Sequence, residues 1–148
     1  MARQLVDITA RSAAAPAAVY ELLTHGSTWP DWSPIEAFEL ERDGAGGPEG
    51  VGAVRVFRRG RTEGRDTIVE LVTDRRLGYT HASKLPVRDY RADVDLELDG
   101  SGTRIRWRAS FTPTVPGTGP LLRLAIGRFL RQCAEGLAEH AARPGVAA

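Results

Sequence analysis

Two neighbouring segments in the second half of the chain alternate apolar and charged residues so regularly that they predict a pair of strands. Over residues 90–98 every second residue is apolar or aromatic, and the residues between them are charged. A glycine-rich turn follows at 99–102, and the alternation resumes over 105–111. A period of two places all the apolar side chains on one face of a strand. The sequence therefore predicts a hairpin with one buried face and one charged face.

Similar patterns predict further strands and two helices around this hairpin. Strands are expected near 6–11, 37–41, 53–58, 62–72 and 77–83. Pro16 suits the first position of a short helix, where its missing N–H costs nothing, and Pro120 precedes an apolar stripe at helical spacing that runs to about residue 142. A strand, a short helix and turn, about six more strands and one long helix predict an α+β fold in which a helix covers an antiparallel sheet.

The long helix carries small residues that bear on how closely it packs. Ala125, Gly127, Ala134 and Ala138 would leave a gap if they line its contact with a curved sheet. Gly127 and Gly136 each weaken a helix by about 1 kcal/mol relative to alanine. Their presence suggests close approach to a neighbouring element, or tolerated local motion.

Composition excludes several classes of function. The 148 residues suit a single domain spanning 1–148, and a net charge of +1 gives no reason to expect nucleic acid or an anionic membrane as partner. Cys133 is the only cysteine, and His25, His81 and His140 are widely separated, so we expect no disulfide, metal or cofactor. With no signal peptide and no stretch long enough to span a membrane, we expect a cytoplasmic monomer or homodimer.

Two of the three tryptophans lie in one short turn bounded by prolines, at residues 29–34. Bulky aromatic residues in such a corner either plug a core or line a cavity. We expect Trp29 to be the plug and Trp32 to face a cavity mouth, with the reverse order as the alternative. The loop 43–52 has five glycines and a proline, so we expect it to be mobile and to gate that mouth.

The chain resembles the START/polyketide-cyclase superfamily, also called SRPBCC, over nearly its whole length. The order and spacing of the matching stretches carry the resemblance, and these are 15–23, 29–34, 74–79, 88–94, 102–107 and 116–120. It implies a helix-grip fold: a curved antiparallel sheet of about seven strands around a long C-terminal helix, with one or two short helices after the first strand. It also implies a deep cavity for a hydrophobic ligand. Its members include aromatase/cyclases, lipid and hormone carriers, quinone-binding proteins and chaperone activators, so it assigns no reaction.

No catalytic signature such as a nucleophile elbow or a P-loop occurs in the sequence, so polar residues on inward faces are the candidates. Tyr79 and His81 share the bulky face of the predicted strand 77–83. If that face is inward, His81 could take a proton next to a carbonyl or return one to a leaving hydroxyl, with Tyr79 stabilising an oxyanion. The alternative is that His81 is a structural histidine, held by hydrogen bonds on the inner face.

Arg55 is a third catalytic candidate, because a guanidinium can anchor a carboxylate or an enolate. The strand 53–58 can be phased either way, and with nineteen arginines in the chain an exposed Arg55 is favoured. Asp66 and Glu70 have the same ambiguity, since the apolar residues of 62–72 fit both phases, and a β-bulge would satisfy both.

Residues on the inward faces are the expected ligand contacts, although aromatic residues there serve equally as core. Cys133 is expected to behave as a small buried apolar residue. The full set of expected ligand-binding residues is Trp32, Tyr79, His81, Tyr90, Trp107, Phe111, Ile126, Phe129 and Cys133.

Three functions follow as hypotheses. The first is non-covalent binding of a hydrophobic or aromatic small molecule, lipid-like or polyketide-like. The second is a polyketide cyclase, aromatase or dehydratase that uses polar residues of the same cavity. The third is an interaction module of the chaperone-activator kind. Polar groups converging inside the cavity would favour the enzyme, and an apolar lining would favour the carrier.

Overall fold

The computed structural model describes residues 2–145 as one antiparallel sheet packed against a long C-terminal helix. None of the helices in this range is long and apolar enough to cross a membrane. In chain order the elements are β1 (Gln4–Ser12), α1 (Pro16–Thr24), a single 3-10 turn (Gly26–Thr28), α2 (Trp29–Trp32), β2 (Ala37–Arg42), β3 (Val54–Arg59), β4 (Thr62–Val72), β5 (Arg76–Ala82), β6 (Val87–Asp99), β7 (Gly102–Pro113) and α3 (Gly119–Ala141).

The seven strands lie in the order β1-β7-β6-β5-β4-β3-β2, and every neighbouring pair is antiparallel. The sheet is therefore a meander from β2 to β7, and β1 is added beside β7 at the far edge. Helix α3 lies on the inner face, mainly against β1 and β7, and α1 and α2 pack beside it. This arrangement confirms the predicted helix-grip α+β fold.

The predicted hairpin is formed by β6 and β7 and supplies the centre of the core. Val94 pairs with Trp107, and Ala92 pairs with Ala109; all four side chains are buried on the inner face. The outer face carries paired charges, such as the contact between Arg106 and Asp7, whose nitrogen and oxygen lie 2.8 Å apart. Alternation in the sequence thus becomes an apolar interior and an ion-paired exterior.

The turn that carries the tryptophans is held against α3 by a contact that only glycine permits. A Cβ atom added at Gly136 would overlap the carbonyl oxygen of Trp32. At Gly127 an added Cβ would meet only the Val6 Cγ1 atom, at an ordinary 3.8 Å. Of the two helical glycines, Gly136 is therefore the one that the close approach requires.

The glycine-rich segment 43–52 is tied to the rest of the molecule. Its backbone forms two isolated β-bridges, and the Gly52 N–H donates to the Ile68 carbonyl at 2.7 Å. The Glu49 carboxylate accepts from the Gly26 N–H, also at 2.7 Å. A Cβ atom at Gly50 would overlap the Ala45 carbonyl oxygen, so this glycine serves a close backbone approach. We therefore correct the expectation of a freely mobile loop.

The two helical glycines make a matched pair for a stability test. We expect Gly136→Ala to lower the free energy of unfolding by about 1 to 3 kcal/mol, because the new methyl group forces the Trp32 turn away from α3. Gly127→Ala should leave it unchanged or raise it by up to about 1 kcal/mol, because alanine favours the helix and the site has room. Urea denaturation measures both, and equal effects of the two changes would contradict the close-contact explanation.

Candidate functional site

A cavity of about 250 Å³ lies between the inner face of the sheet and the first half of α3. Because α3 rests mainly on β1 and β7, the inner faces of β3, β4 and β5 are left partly uncovered. Most of the surrounding surface is apolar, and its principal apolar residues are Trp29, Ile35, Phe57, Leu122, Ile126 and Phe129. Such a cavity suits a compact hydrophobic molecule.

A row of four polar side chains crosses the sheet, and three of them line the cavity. Arg55 on β3 pairs with Asp66 on β4, Asp66 pairs with His81 on β5, and His81 pairs with Tyr90 on β6. Directly paired residues of neighbouring antiparallel strands project from the same face. The four side chains are therefore neighbours, and we call them the polar row; Asp66, His81 and Tyr90 line the cavity.

Asp66 and His81 form a short side-chain contact in the cavity wall. The His81 Nδ1 atom lies 2.6 Å from Asp66 Oδ1, and 7% of the Asp66 side chain and 21% of the His81 side chain are exposed. A carboxylate can only accept, so this bond places a proton on Nδ1, and in the neutral imidazole Nε2 is then an acceptor. No residue in 2–145 donates to that Nε2. The ring lies over Gly64, where a Cβ atom would come within 2.5 Å of it.

Two buried phenols lie next to this pair. Tyr79, two residues before His81 on β5, accepts a hydrogen bond from Trp107 Nε1 at 3.1 Å. Tyr90 stacks on Phe111 with ring centroids 5.9 Å apart, and its hydroxyl makes no hydrogen bond with the described residues. Burial raises the pKa of Tyr79 well above its ordinary value and also raises that of Tyr90. Both phenols therefore keep their protons at neutral pH.

The expectation that Arg55 is exposed is wrong, because its side chain is completely buried. The guanidinium lies against the rings of Trp29 and Phe57, 5.3 and 5.2 Å from their centroids, and its Nη1 donates to the Leu23 carbonyl at 3.1 Å. Glu49 Oε1 is 3.6 Å from the same nitrogen. These contacts take the place of the hydrogen bonds that water makes to an exposed arginine.

Burial lowers the pKa of Arg55, and the charges of Asp66 and Glu49 oppose that shift. Its Nε and Nη2 atoms have no hydrogen-bond partner within the described residues. Arg55 does not line the cavity; it lies behind Trp29 and Phe57, which do. Direct contact between this guanidinium and a ligand therefore stays a prediction, and the present geometry gives it no access.

The phase of β4 is settled by a bulge, as one of the sequence alternatives proposed. The pairing of β4 with β5 shifts register between Ile68 and Glu70. Before the shift Asp66 and Ile68 face inward, and after it Leu71 packs against the core. Glu70 lies on the outer face, where Arg76 and Arg91 contact it. One extra residue thus turns Ile68 and Leu71, one from each apolar pattern, toward the core and leaves Val69 and Val72 exposed.

The two tryptophans of the turn take the opposite roles to those that the sequence favoured. Trp29 lines the cavity, and Trp32 does not. The Trp32 indole N–H donates to Thr28 Oγ1 at 3.0 Å, which directs the ring back toward its own turn. Trp29 donates instead to the Leu23 carbonyl and packs on Phe57. Trp32 is therefore a core residue beneath the cavity.

The expected ligand contacts divide into two groups. One group lines the cavity and consists of Tyr79, His81, Tyr90, Ile126 and Phe129. The other lies buried behind the wall and consists of Trp32, Trp107, Phe111 and Cys133. Burial raises the pKa of the Cys133 thiol, so that residue is an unreactive core side chain.

Sequence reasoning also missed several residues of the cavity. Phe57 was not named as a lining residue, Asp66 was left open between the two faces, and Trp29 was placed at the cavity only in the alternative order. The mouth is formed by the β3–β4 hairpin, the residues after β5 and the start of α3. Arg59 lies over the Phe129 ring at 5.7 Å and links two of these elements. No residue of the loop 43–52 lines the cavity, so the expected gate is misplaced. The register of β4 against β5, and no local sequence signal, brings Asp66 beside His81.

The two phenols predict an unusual alkaline titration. The ordinary pKa of tyrosine is 10.0, and below that pH ionisation of Tyr79 and Tyr90 does not change the free energy of unfolding. Above it the unfolded chain releases their protons and the folded chain does not, so the free energy of unfolding falls by about 1.4 kcal/mol per pH unit for each. We expect tyrosinate absorbance of these residues only on unfolding, and Tyr79→Phe with Tyr90→Phe to remove the effect. Ionisation of all three tyrosines near pH 10.0 in folded protein would contradict this.

Comparisons with known proteins agree with the fold. A family model described as polyketide cyclase / dehydrase and lipid transport matches residues 3–142. A START superfamily protein from Mycobacterium smegmatis has a TM-score of 0.79 at 12% identity, covering 93% of this chain and 96% of that one. The Zhui aromatase/cyclase from a Streptomyces species has a TM-score of 0.77 at 17% identity, covering 99% and 100%.

A protein from Thermobifida fusca is 28% identical, with a TM-score of 0.73 and coverage of 91% of this chain and 93% of that one. A search of curated proteins finds no sequence match to this chain. The family match spans nearly the whole chain, and the solved structures share its helix-grip architecture. The chain therefore belongs to the polyketide cyclase/dehydrase and lipid transport family, within the START/SRPBCC superfamily.

Proposed function

We propose that the protein binds a compact hydrophobic molecule that carries a carbonyl group, and that it moves protons on this molecule. The observation that carries the proposal is the Asp66–His81 pair in the wall of an otherwise largely apolar cavity. The cavity volume of about 250 Å³ is slightly below the roughly 300–1,000 Å³ common for small-molecule sites. A monocyclic or bicyclic polyketide-like molecule suits that size better than a long lipid chain.

Binding can be tested with the bicyclic ketone α-tetralone and two variants of α3. Ala125 lines the cavity, whereas its neighbour Leu124 points to solvent. We expect Ala125→Phe to weaken binding at least about tenfold, because the added ring occupies the cavity, while Leu124→Phe leaves the affinity unchanged. Isothermal titration calorimetry measures both. Binding that is equally insensitive to the two changes would locate the ligand elsewhere and refute the proposal.

The Asp66–His81 pair favours the enzyme over the pure carrier. On a β-hydroxy ketone, His81 Nε2 accepts the proton from the carbon next to the carbonyl, and the C–H electrons form an enolate. The bond to the β-hydroxyl then breaks, and the hydroxyl leaves as water with the proton from the imidazolium. The product is the conjugated enone, and His81 returns to its neutral form. Asp66 stays ionised throughout and holds the ring in one orientation.

The same groups would serve a cyclisation, because ring closure of a poly-β-ketone also begins with removal of a proton next to a carbonyl. The substrate class is therefore a β-hydroxy or β-keto compound, and the activity is that of a polyketide cyclase, aromatase or dehydratase. An interaction module of the chaperone-activator kind receives less support, since it has no need of a histidine–carboxylate pair inside an open cavity.

Dehydration can be followed with the aldol of acetone and benzaldehyde, whose product, benzylideneacetone, absorbs in the near ultraviolet. We expect His81→Ala to lower the turnover rate roughly 100- to 10,000-fold, the range for loss of a general base. Asp66→Asn should lower it less, because the base remains but its orientation is lost. His25→Ala is the matched control, since that histidine is exposed and, among the described residues, its ring bonds only to the Glu21 carbonyl. Unchanged turnover in folded His81→Ala would exclude His81 as the base.

A further inference from the structure

The Tyr79 hydroxyl has a fixed hydrogen-bond donor behind it. Trp107 on β7 is fully buried, and its Nε1–H donates to the Tyr79 oxygen at 3.1 Å. An indole N–H cannot accept, so the hydroxyl proton must be donated to some other group. No side chain or backbone carbonyl within residues 2–145 accepts it. The proton is therefore available to a molecule in the cavity.

The surroundings of Trp107 determine the side from which that proton is offered. The indole packs edge-on against Trp29, with ring centroids 5.8 Å apart, and it lies 6.5 Å from the Trp32 ring. Trp107 does not line the cavity, whereas Tyr79 does. The side of the hydroxyl away from the cavity is thus occupied by the indole, and its proton faces the cavity side. The Tyr90 hydroxyl has no such donor behind it and no fixed direction.

We propose that Trp107 and Tyr79 form a directed donor pair that selects ligands with a carbonyl or enolate oxygen and binds that oxygen at the Tyr79 hydroxyl. The inference rests on the cavity being the ligand site, as proposed above, and it adds the position of the ligand's oxygen. Tyr79 contacts the ligand, and Trp107 is a positioning residue. The indole hydrogen bond also polarises the hydroxyl, because linked hydrogen bonds in a dry interior strengthen one another.

The spacing along β5 gives this donor a defined relation to the base. Tyr79 and His81 are two residues apart on the same face of the strand, so their Cα atoms are roughly 6.6 Å apart. A ketone whose oxygen bonds to Tyr79 has its neighbouring C–H on the side of His81 Nε2. Negative charge that develops on the oxygen during proton removal meets a neutral donor already in place. The arrangement selects a ketone with an acidic neighbouring C–H.

The test compares α-tetralone with tetralin, which has the same carbon skeleton without the oxygen. Calorimetry gives the ratio of their affinities, and the infrared stretch of the bound carbonyl reports its hydrogen bond. We expect Tyr79→Phe to reduce the preference for α-tetralone roughly 3- to 10-fold, the size of one neutral hydrogen bond, and to raise the carbonyl frequency. Trp107→Phe should shift both in the same direction by less, because the donor remains but is no longer directed.

Further variants keep the outcome decisive. Tyr79→Phe leaves the Trp107 N–H buried without a partner, so Tyr79→Phe with Trp107→Phe removes both groups if the single variant unfolds. Tyr20→Phe is the matched loss of a phenol outside the cavity and should leave the ratio and the frequency unchanged. If Tyr90→Phe lowers the ratio as much as Tyr79→Phe does, or if Trp107→Phe changes neither quantity, the donor pair is refuted.

The result also separates this inference from the proposed function. If both compounds bind wild-type protein but neither ratio nor frequency responds to Tyr79→Phe, only the donor pair is refuted. If neither compound binds, the proposed ligand site and the donor pair fail together. If His81→Ala abolishes dehydration of the aldol and leaves the tetralone-to-tetralin ratio intact, the donor pair and the base act separately, as the geometry predicts.

Discussion

The chemistry of the cavity depends on the antiparallel register of β3, β4, β5 and β6. Alternate residues of a strand face opposite sides, so a slip of one residue would turn the polar row toward solvent. The observed register instead brings Arg55, Asp66, His81 and Tyr90 side by side. A buried carboxylate or guanidinium is costly alone, and neighbours of opposite charge offset part of that cost. The interior tolerates this row because its members are adjacent.

The position of α3 determines that this row borders a cavity and not a solid core. The helix rests mainly on β1 and β7, and Gly136 lets the Trp32 backbone approach it closely. Large aromatic side chains fill the space near this contact, where Trp29, Trp32 and Trp107 pack together. Toward the start of α3 the facing residues include Ala125, and the space opens. Closely packed aromatic rings beneath an open cavity can hold hydrogen-bond donors of the cavity wall in fixed directions.

Much of the fold could be predicted from the pattern of residues, because periodicity reports which face of an element is buried. The hairpin of β6 and β7, the inward face of β5 and the apolar stripe of α3 all carry clean periods. The phase of β3 could not be predicted, since a completely buried arginine contradicts the usual exposure of that residue. In β4 a bulge changes the phase within one strand, and no single period describes it. Both strands carry residues of the polar row.

By itself the sequence determined the order and type of the elements, an α+β fold with a helix on an antiparallel sheet, and the presence of Tyr79 and His81 on one face of β5. Those properties depend on local spacing, which a chain carries in one dimension. Only the tertiary structure decided that Asp66 meets His81, that Arg55 is withdrawn behind Trp29, and that Trp107 donates to Tyr79. These contacts join residues from different strands and turns. Their geometry depends on the register of the strands, on the bulge in β4 and on the packing of α3 against β1 and β7. Interactions between distant segments exist only once the chain has folded.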